Sequence, residues 1–356
     1  MTEHTKSNEP STKPRSRSKW WLRIALILVC LIVGIAGFVG YRIWGAVSKG
    51  QVQQIVSKHR EKKVDIQKDP FTILFMGIDQ FSTKEEAQEL RTDVLMVASV
   101  NPSTHSVKLV SIPRDTLAEI ANTDGYKTKI NAAAYWGKHK GYDPLENVRE
   151  TVENFLGGVP IDYYAKINFK GFIDIVDAVG GVDVNVPLDF KIQTFGKKVY
   201  KFEKGPAHLT GEQALPYVRM RKKDPEGDFG RQKRQQEVIS QILDQIVSFN
   251  SLTKIQEIAN TVGNNLTYTI PTSDFLSFIE IYQETPKQNI ESIQLQTTPR
   301  RINGAAYEIV SKKERMRISD LLKEHLYIKK ESTIGEVPNA PSVQEPEGFH
   351  QNLLEQ

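Results

Sequence analysis

The stretch "DVLMVASVNPSTHSVKLVSIPRD", Asp93 to Asp115, decides the fold. Two arms rich in β-branched and apolar residues, 94–100 and 107–112, flank the turn sequence Asn101-Pro102-Ser103, a pattern that predicts a β-hairpin. The turn lies far from Asp93 and Arg114, so these two residues flank the open ends of the arms. Upstream, "FTILFMG" (71–77) is a short continuous apolar run ended by glycine and reads as a buried strand. If that strand pairs antiparallel with the first arm, Asp79 reaches the same end. Two carboxylates and an arginine then converge, with Arg91 and Asp115 beside them in sequence. A single aspartate in such a place more often just solvates a loop; convergence argues for a site.

Downstream, strands and helices alternate. In "DPLENVRETVENFLGG", Asp143 is the N-cap, Pro144 the first helical residue and Gly157 the stop. A strand near 163–168, a helix over about 171–179, a Gly180-Gly181 break and the alternating "VDVNVP" follow. The expected fold class is α/β, a three-layer α-β-α sandwich around a mixed central sheet. It spans 70–328. The one cysteine, Cys30, lies outside it, which excludes thiol catalysis and disulfides there.

The N-terminus bears on the compartment. "IALILVCLIVGIAGFVGY" (24–41) carries no charge and is long enough to cross a bilayer as a helix. Trp20 and Trp21 on one side and Tyr41 and Trp44 on the other occupy belt positions, and Lys13, Arg15, Arg17, Lys19 and Arg23 crowd the upstream flank. The expectation is a cytoplasmic tail (1–23), a transmembrane helix (24–44), a stalk (45–69) and an extracytoplasmic domain. A cleaved signal peptide, with Ala36 and Gly37 at the cut, competes with this reading. The Pro- and Glu-rich 329–356 reads as a disordered tail. A formal net charge of +4 does not mark a nucleic-acid binder, so a basic site must come from local clustering.

Such a cluster exists in "YVRMRKKDPEGDFGRQKRQQEV" (217–238), which holds Arg219, Arg221, Arg231 and Arg234. With a helix starting near Gly230 and capped by Asp228, Val238, Ile239, Ile242, Leu243, Ile246 and Val247 form an apolar stripe. Arg231, Arg234 and Gln235 fall in line with that stripe, while Lys233 falls away from it. Inward-facing guanidiniums call for a counterion, and their paired donors suit phosphate oxygens, as do helix N-terminal N–H groups. Carboxylates beside such an anion repel it unless a cation intervenes. Mg²⁺ suits one or two carboxylates plus phosphate and water. Alternatively, the carboxylates only neutralise the arginines.

With these residues assembled, the chain resembles the LytR-CpsA-Psr (LCP) family over about 70–250. The resemblance rests on "ILFMGID", "RTDVLMVASVNP", "SIPRDT", "KINAAAYWG" and the 217–238 stretch, in order. It implies a membrane-anchored enzyme that moves an anionic glycopolymer, such as wall teichoic acid or capsular polysaccharide, from undecaprenyl pyrophosphate to the C6 hydroxyl of peptidoglycan N-acetylmuramic acid in the Gram-positive envelope. It also implies that Asp79 and Asp93 are associated with a metal, Mg²⁺ with Mn²⁺ as a substitute. Arg91, Arg114, Arg219, Arg221, Arg231 and Gln235 match the pyrophosphate-binding group, and Lys129 in "KIN" joins them. Catalysis is placed on Asp79, Asp93 and Arg114, with Asp93 or Asp79 as candidate base. The small residues of "NAAAYWG" and the apolar segments 169–179 and 238–247 resemble the family's polyprenyl tunnel walls. There is no G-x-S-x-G elbow, H-E-x-x-H pair or Walker loop to support another chemistry. The competing function is a non-catalytic binder of polyprenyl phosphates or polyanionic wall polymer. Nucleic acid is not an expected partner, because the cytoplasmic tail is too short for a DNA-reading fold.

Overall fold

The computed structural model describes residues 51–53, 55–79, 91–194, 198–248, 257–258, 260–330 and 334. The expected cytoplasmic tail and transmembrane helix lie outside the described residues, as does most of the expected C-terminal tail. No helix among the described residues is long and apolar enough to cross a membrane.

The hairpin forms as the sequence predicts. Strand β1 (Phe71–Ile78) lies antiparallel to β2 (Thr92–Asn101), which turns through Pro102–Thr104 into antiparallel β3 (Ser106–Ser111). The turn closes because Asn101 accepts from the Thr104 N–H and His105 takes a left-handed φ of 45°. Two short strands, β4 (Leu117–Glu119) and β5 (Lys127–Lys129), pair with each other beside it. Strand β6 (Tyr163–Asn168) is parallel to β1, β11 (Leu266–Tyr268) antiparallel to β6, and β12 (Ile290–Ile293) parallel to β3. The result is a mixed sheet in the order β11-β6-β1-β2-β3-β12. Its two central strands are almost entirely buried, which explains why they read as continuous rather than alternating apolar runs.

Successive residues of β1 serve opposite faces of the sheet. Leu74 and Met76 join a core with helices α1 (Ala133–His139), α2 (Pro144–Phe155) and α7 (Lys312–His325). Phe71 and Ile73 join a second cluster containing Val64, Ile66 and Tyr163, packed by Phe278 and Ile281 of α6 (Phe275–Glu284). Asp143 caps α2 as expected, its Oδ1 accepting the N–H groups of Leu145 and Glu146 at 2.9 Å.

A third cluster builds the flank that carries the site. Helices α3 (Phe169–Ala178), α4 (Gly211–Arg219) and α5 (Asp228–Ser248) pack with strand β7 (Val182–Val186), hairpin β8–β9 (Phe190–Gln193 and Val199–Phe202) and β10 (Gly205–Leu209). "VDVNVP" forms the expected strand, but it pairs with β10 outside the main sheet. A further hairpin, β13–β14 (Thr298–Ile302 and Ala305–Ile309), abuts β4.

The described part of the expected stalk, 51–53 and 55–69, lies against this domain. Its scattered apolar residues Val64 and Ile66 are buried. Arg60 donates from Nε and Nη2 to the two oxygens of buried Asp162, each at 2.8 Å. At the other end, Ile334 of the expected tail is also buried.

The small residues of "NAAAYWG" do not line a tunnel. Ala132, Ala133, Ala134 and Trp136 belong to the core around α2. A Cβ on Gly137 would stand 2.5 Å from that of Asn147, so smallness here lets α1 and α2 approach closely.

Candidate functional site: a cationic ring on an apolar cavity

Strand register assembles the acidic half of the site. Gly77 pairs with Val94 and Ile78 with Thr92, with an irregularity between them, so Asp79 and Asp93 leave adjacent strands at the same end. Arg114, just past β3, donates from Nη1 to Asp93 Oδ1 at 2.9 Å. Asp115 ties together its neighbours: Lys129 Nζ lies 2.8 Å from its Oδ1, while Arg221 Nη1 and Arg114 Nε lie 3.5 and 3.7 Å from its Oδ2.

The basic half comes from α4, the loop after it and the start of α5. Arg219 ends α4 with Nη2 3.4 Å from Asp79 Oδ2 and its guanidinium 4.3 Å above the Phe169 ring. Arg231, on the first turns of α5, places Nη2 2.6 Å from Asp228 Oδ1. Asp228 thus lies inside the helix's first turn and is a charge partner as well as a helix start. Gln235 follows one turn on, donating to the Val218 carbonyl at 3.3 Å. The periodicity argument holds: Arg231, Arg234 and Gln235 are buried and Lys233 is exposed.

Arg234 has a different job from its neighbours. Its Nη1 meets Asp224, its Nη2 the Met220 carbonyl, and its Nε the Tyr217 carbonyl at 3.1 Å. These contacts use its donors to hold the 220–227 loop rather than a ligand. Gly230 makes the approach possible, since a Cβ there would fall 2.0 Å from Asp224 Oδ2.

Burial and charge shape the ionisation of the site. Burial pushes the Asp79 carboxyl above its ordinary range, helped by Asp93 and opposed chiefly by Arg219. Burial acts in the same direction on Asp115, but Lys129, Arg114 and Arg221 together outweigh it and hold that carboxyl below the ordinary range. Burial lowers Arg231, with Asp228 only partly compensating. Arg114 is raised: burial opposes its charge, yet Asp93 and Asp115 prevail. The Nε atoms of Arg114 and Arg231 are buried without a hydrogen bond. Arginine, lysine and carboxylate are present together, but the cations outnumber the carboxylates Asp79, Asp93, Asp115 and Asp228. Mutual neutralisation therefore leaves positive charge over, and buried donors without acceptors are costly until an anion arrives.

This ring opens on a cavity of about 1320 Å³. Asp93, Arg114, Arg219, Arg221, Arg231 and Gln235 stand in its wall. Asp79 and Lys129 adjoin it through Arg219 and Asp115, and Arg91 acts on Asp79 through its charge. The rest of the wall is largely apolar: Phe172, Ile173 and Ile175 from α3 face Ile239, Leu243 and Ile246 from α5. Several of these residues are only half-buried, because they border the cavity instead of closing over one another. The volume exceeds the roughly 300–1,000 Å³ of ordinary small-molecule sites, which suits a long apolar chain.

Sequence reasoning named Asp115 and Asp228 without giving them charge-partner roles, and it missed Phe169 beneath Arg219. Asp115 was the recoverable one, because "PRD" places it next to Arg114 at the strand end.

Fold and site together define an α/β domain in which a cluster of arginines and carboxylates opens on a large, mostly apolar cavity. The chain belongs to the LytR_cpsA_psr family, whose model matches residues 43–324. It is 39% identical over 287 residues to the polyisoprenyl-teichoic acid–peptidoglycan teichoic acid transferase TagV of Bacillus subtilis (strain 168), covering 77% of this chain and 70% of that protein. To TagU of the same organism and activity name it is 36% identical over 310 residues, covering 86% and 95%. Its fold matches the structure of TagT bound to LI-WTA with a TM-score of 0.62 at 28% identity, covering 78% of this chain and all (100%) of that one.

Proposed function

We propose that this protein transfers an anionic glycopolymer from a polyisoprenyl pyrophosphate carrier to the C6 hydroxyl of peptidoglycan N-acetylmuramic acid. The observation that carries the reading is the continuity of one cavity from the arginine ring to the apolar walls of α3 and α5. TagV and TagU, which carry that activity in their names, support it.

In this reading Arg114, Arg219, Arg221 and Arg231 bind the pyrophosphate and stabilise charge on the departing lipid phosphate, with Arg91, Lys129 and Gln235 supporting them. The acceptor hydroxyl oxygen bonds to the phosphorus that bears the polymer. The bond from that phosphorus to the bridging oxygen breaks, and undecaprenyl phosphate leaves. The hydroxyl proton passes to Asp93 or Asp79, and the product is a phosphodiester. Burial raises the proton affinity of Asp79 above that of a free carboxylate, and Asp93 accepts a hydrogen bond from Arg114 Nη1.

Asp79 and Asp93 fit Mg²⁺ as a pair. No group of three or more His, Cys, Asp or Glu suited to a metal occurs among the described residues, and Mg²⁺ commonly takes one or two carboxylates with water and phosphate. Bound there, Mg²⁺ or Mn²⁺ supplies neutralising charge at the pyrophosphate oxygens. The same reading takes the domain as a three-layer α-β-α sandwich outside the membrane, anchored by 24–44.

Full-length protein in detergent, given a labelled lipid-pyrophosphate glycopolymer, peptidoglycan oligomers and Mg²⁺, should yield a new phosphodiester on the acceptor by mass spectrometry. Asp93→Asn should abolish that product while lipid binding persists. Unchanged behaviour of Asp93→Asn, with no product from several glycans, would turn the assignment to a non-catalytic binder.

A further inference from the structure

The β8–β9 hairpin forms part of the cavity wall and also has a second face. Phe190, Ile192, Tyr200 and Phe202 point one way, where the two phenylalanines are buried and Ile192 and Tyr200 line the cavity. On the other face Lys191 sits directly across from Lys201, and both are exposed. Like charges at a cross-strand pair are unfavourable in themselves. Lys223 tightens the arrangement, its Nζ donating to the Lys191 carbonyl at 2.8 Å, and exposed Lys222 is its neighbour.

These four lysines differ from other lysines nearby. Lys198 pairs with Glu212, Lys233 with Glu226, and Lys170 with Asp174. Lys191, Lys201, Lys222 and Lys223 have no carboxylate partner among the described residues. Of the neighbouring carboxylates, Glu212 also accepts from the Tyr200 hydroxyl and Asp189 accepts the Lys204 N–H. The patch also reaches the anion site, because Lys222 and Lys223 share the cavity wall with Arg219 and Arg221, and Lys223 holds the backbone of Lys191 at the cavity's edge.

We infer that this lysine face binds the polyanionic chain of the donor beyond its pyrophosphate, a run of phosphodiester groups spaced along a flexible polymer. The inference rests on the function proposed above. A cation-lined path leading away from the arginines matches a ligand whose charge repeats after its pyrophosphate. A single small phosphate does not need it. A lysine ammonium is a point charge on a flexible stem, so Lys191, Lys201 and Lys222, whose charged ends have no carboxylate partner, suit charge density rather than one fixed geometry.

The test uses full-length protein in neutral detergent, with long and single-unit glycerol phosphate oligomers as probes and phosphatidylglycerol vesicles as comparator. Wild-type protein should bind the long oligomer more tightly than the single unit, with an advantage that fades as salt rises. Lys191→Gln/Lys201→Gln should lose about tenfold in affinity for the long oligomer at low salt, two exposed ion pairs at the upper end of their usual worth. Lys191→Arg/Lys201→Arg should restore it. Equal binding of the long oligomer by wild type and the glutamine variant overturns the inference. So does a loss confined to the vesicles, which would assign the patch to a membrane surface. Oligomer binding that depends on the lysines, in a protein that forms no phosphodiester with any donor, supports the patch and removes only the transferase reading.

Discussion

Replacing Asp224 by asparagine should destabilise the protein and loosen its anion site together. Asp224 and Arg234 form an ion pair whose side chains are 4% and 2% exposed. The substitution keeps the shape and an oxygen able to accept the Glu226 N–H, which Asp224 Oδ1 now receives at 2.8 Å. It removes the charge that balances Arg234 and turns an amide N–H group toward a guanidinium that has only donors. Breaking one partner of a buried pair costs about 3–5 kcal/mol. The Tyr217 and Met220 carbonyls remain as acceptors, so the lower end, about 3 kcal/mol, is expected. For a domain of this size that is a fall in Tm of about 6 °C or more. The Met220 carbonyl is flanked by Arg219 and Arg221, so donor affinity should drop as well, although Asp224 touches no ligand. Chemical denaturation and donor binding on the same samples read both effects. Asp224→Leu/Arg234→Met should recover most of the stability without restoring donor affinity, because apolar replacement of both charges avoids the unpaired one. A Tm change below about 1 °C in Asp224→Asn, or strictly additive effects in the double variant, would refute the strut.

Gly230→Ala should reproduce part of that loss, because its Cβ would displace the Asp224 carboxylate, and denaturation melts would show it. Arg231→Gln should weaken donor binding by about tenfold or more, since a buried charged hydrogen-bonding donor is worth about 1.5–3 kcal/mol, and titration with the pyrophosphate donor measures it. Leu243→Trp, filling the apolar part of the cavity, should raise KM for a long isoprenoid donor while sparing a short-chain analogue. His325 gives a pH dependence. Burial, then Lys108, lowers its pKa from 6.5 to about 4, and Ser99 and Ser106 hydroxyls contact its ring nitrogens at 2.8 and 2.9 Å. The unfolded state therefore takes up the proton first: this contribution is intact above pH 6.5 and falls as pH drops toward about 4, by about 3 kcal/mol in all. Denaturation midpoints compared with His325→Gln should show a shallower acid loss in the variant; equal slopes would exclude His325 as the source.

What was legible in the sequence divides along a physical line. The hairpin was legible because turn chemistry at Asn101-Pro102 and β-branched arms are local signals, and pairing geometry then carried Asp79, Asp93 and Arg114 to one strand end. The inward aim of Arg231 and Gln235 was legible because helical periodicity ties a side chain's direction to its neighbours. Nothing of this kind ties a residue to a partner contributed by a distant loop. Arg234 shares the stripe with Arg231, yet one is spent on Asp224 and two backbone carbonyls while the other keeps a buried Nε without a hydrogen bond. Periodicity sees two equivalent arginines, whereas the position of the 220–227 loop makes one structural and leaves the other available.

The alanines of "NAAAYWG" fail for a related reason. Small side chains permit close approach, but what approaches is decided by tertiary packing, and here it is Asn147 of α2 against Gly137. The segments expected to wall a tunnel went the other way, and several of their residues border the cavity. The stripe of α5 and the apolar face of α3 read equally well as core, and only the half-burial of Ile239, Leu243 and Ile246 around a shared void separates wall from core. A core residue's apolar surface is covered by its neighbours, while a wall residue's surface awaits a ligand. That distinction lies in which contacts are not made, and it is available only once the elements are assembled.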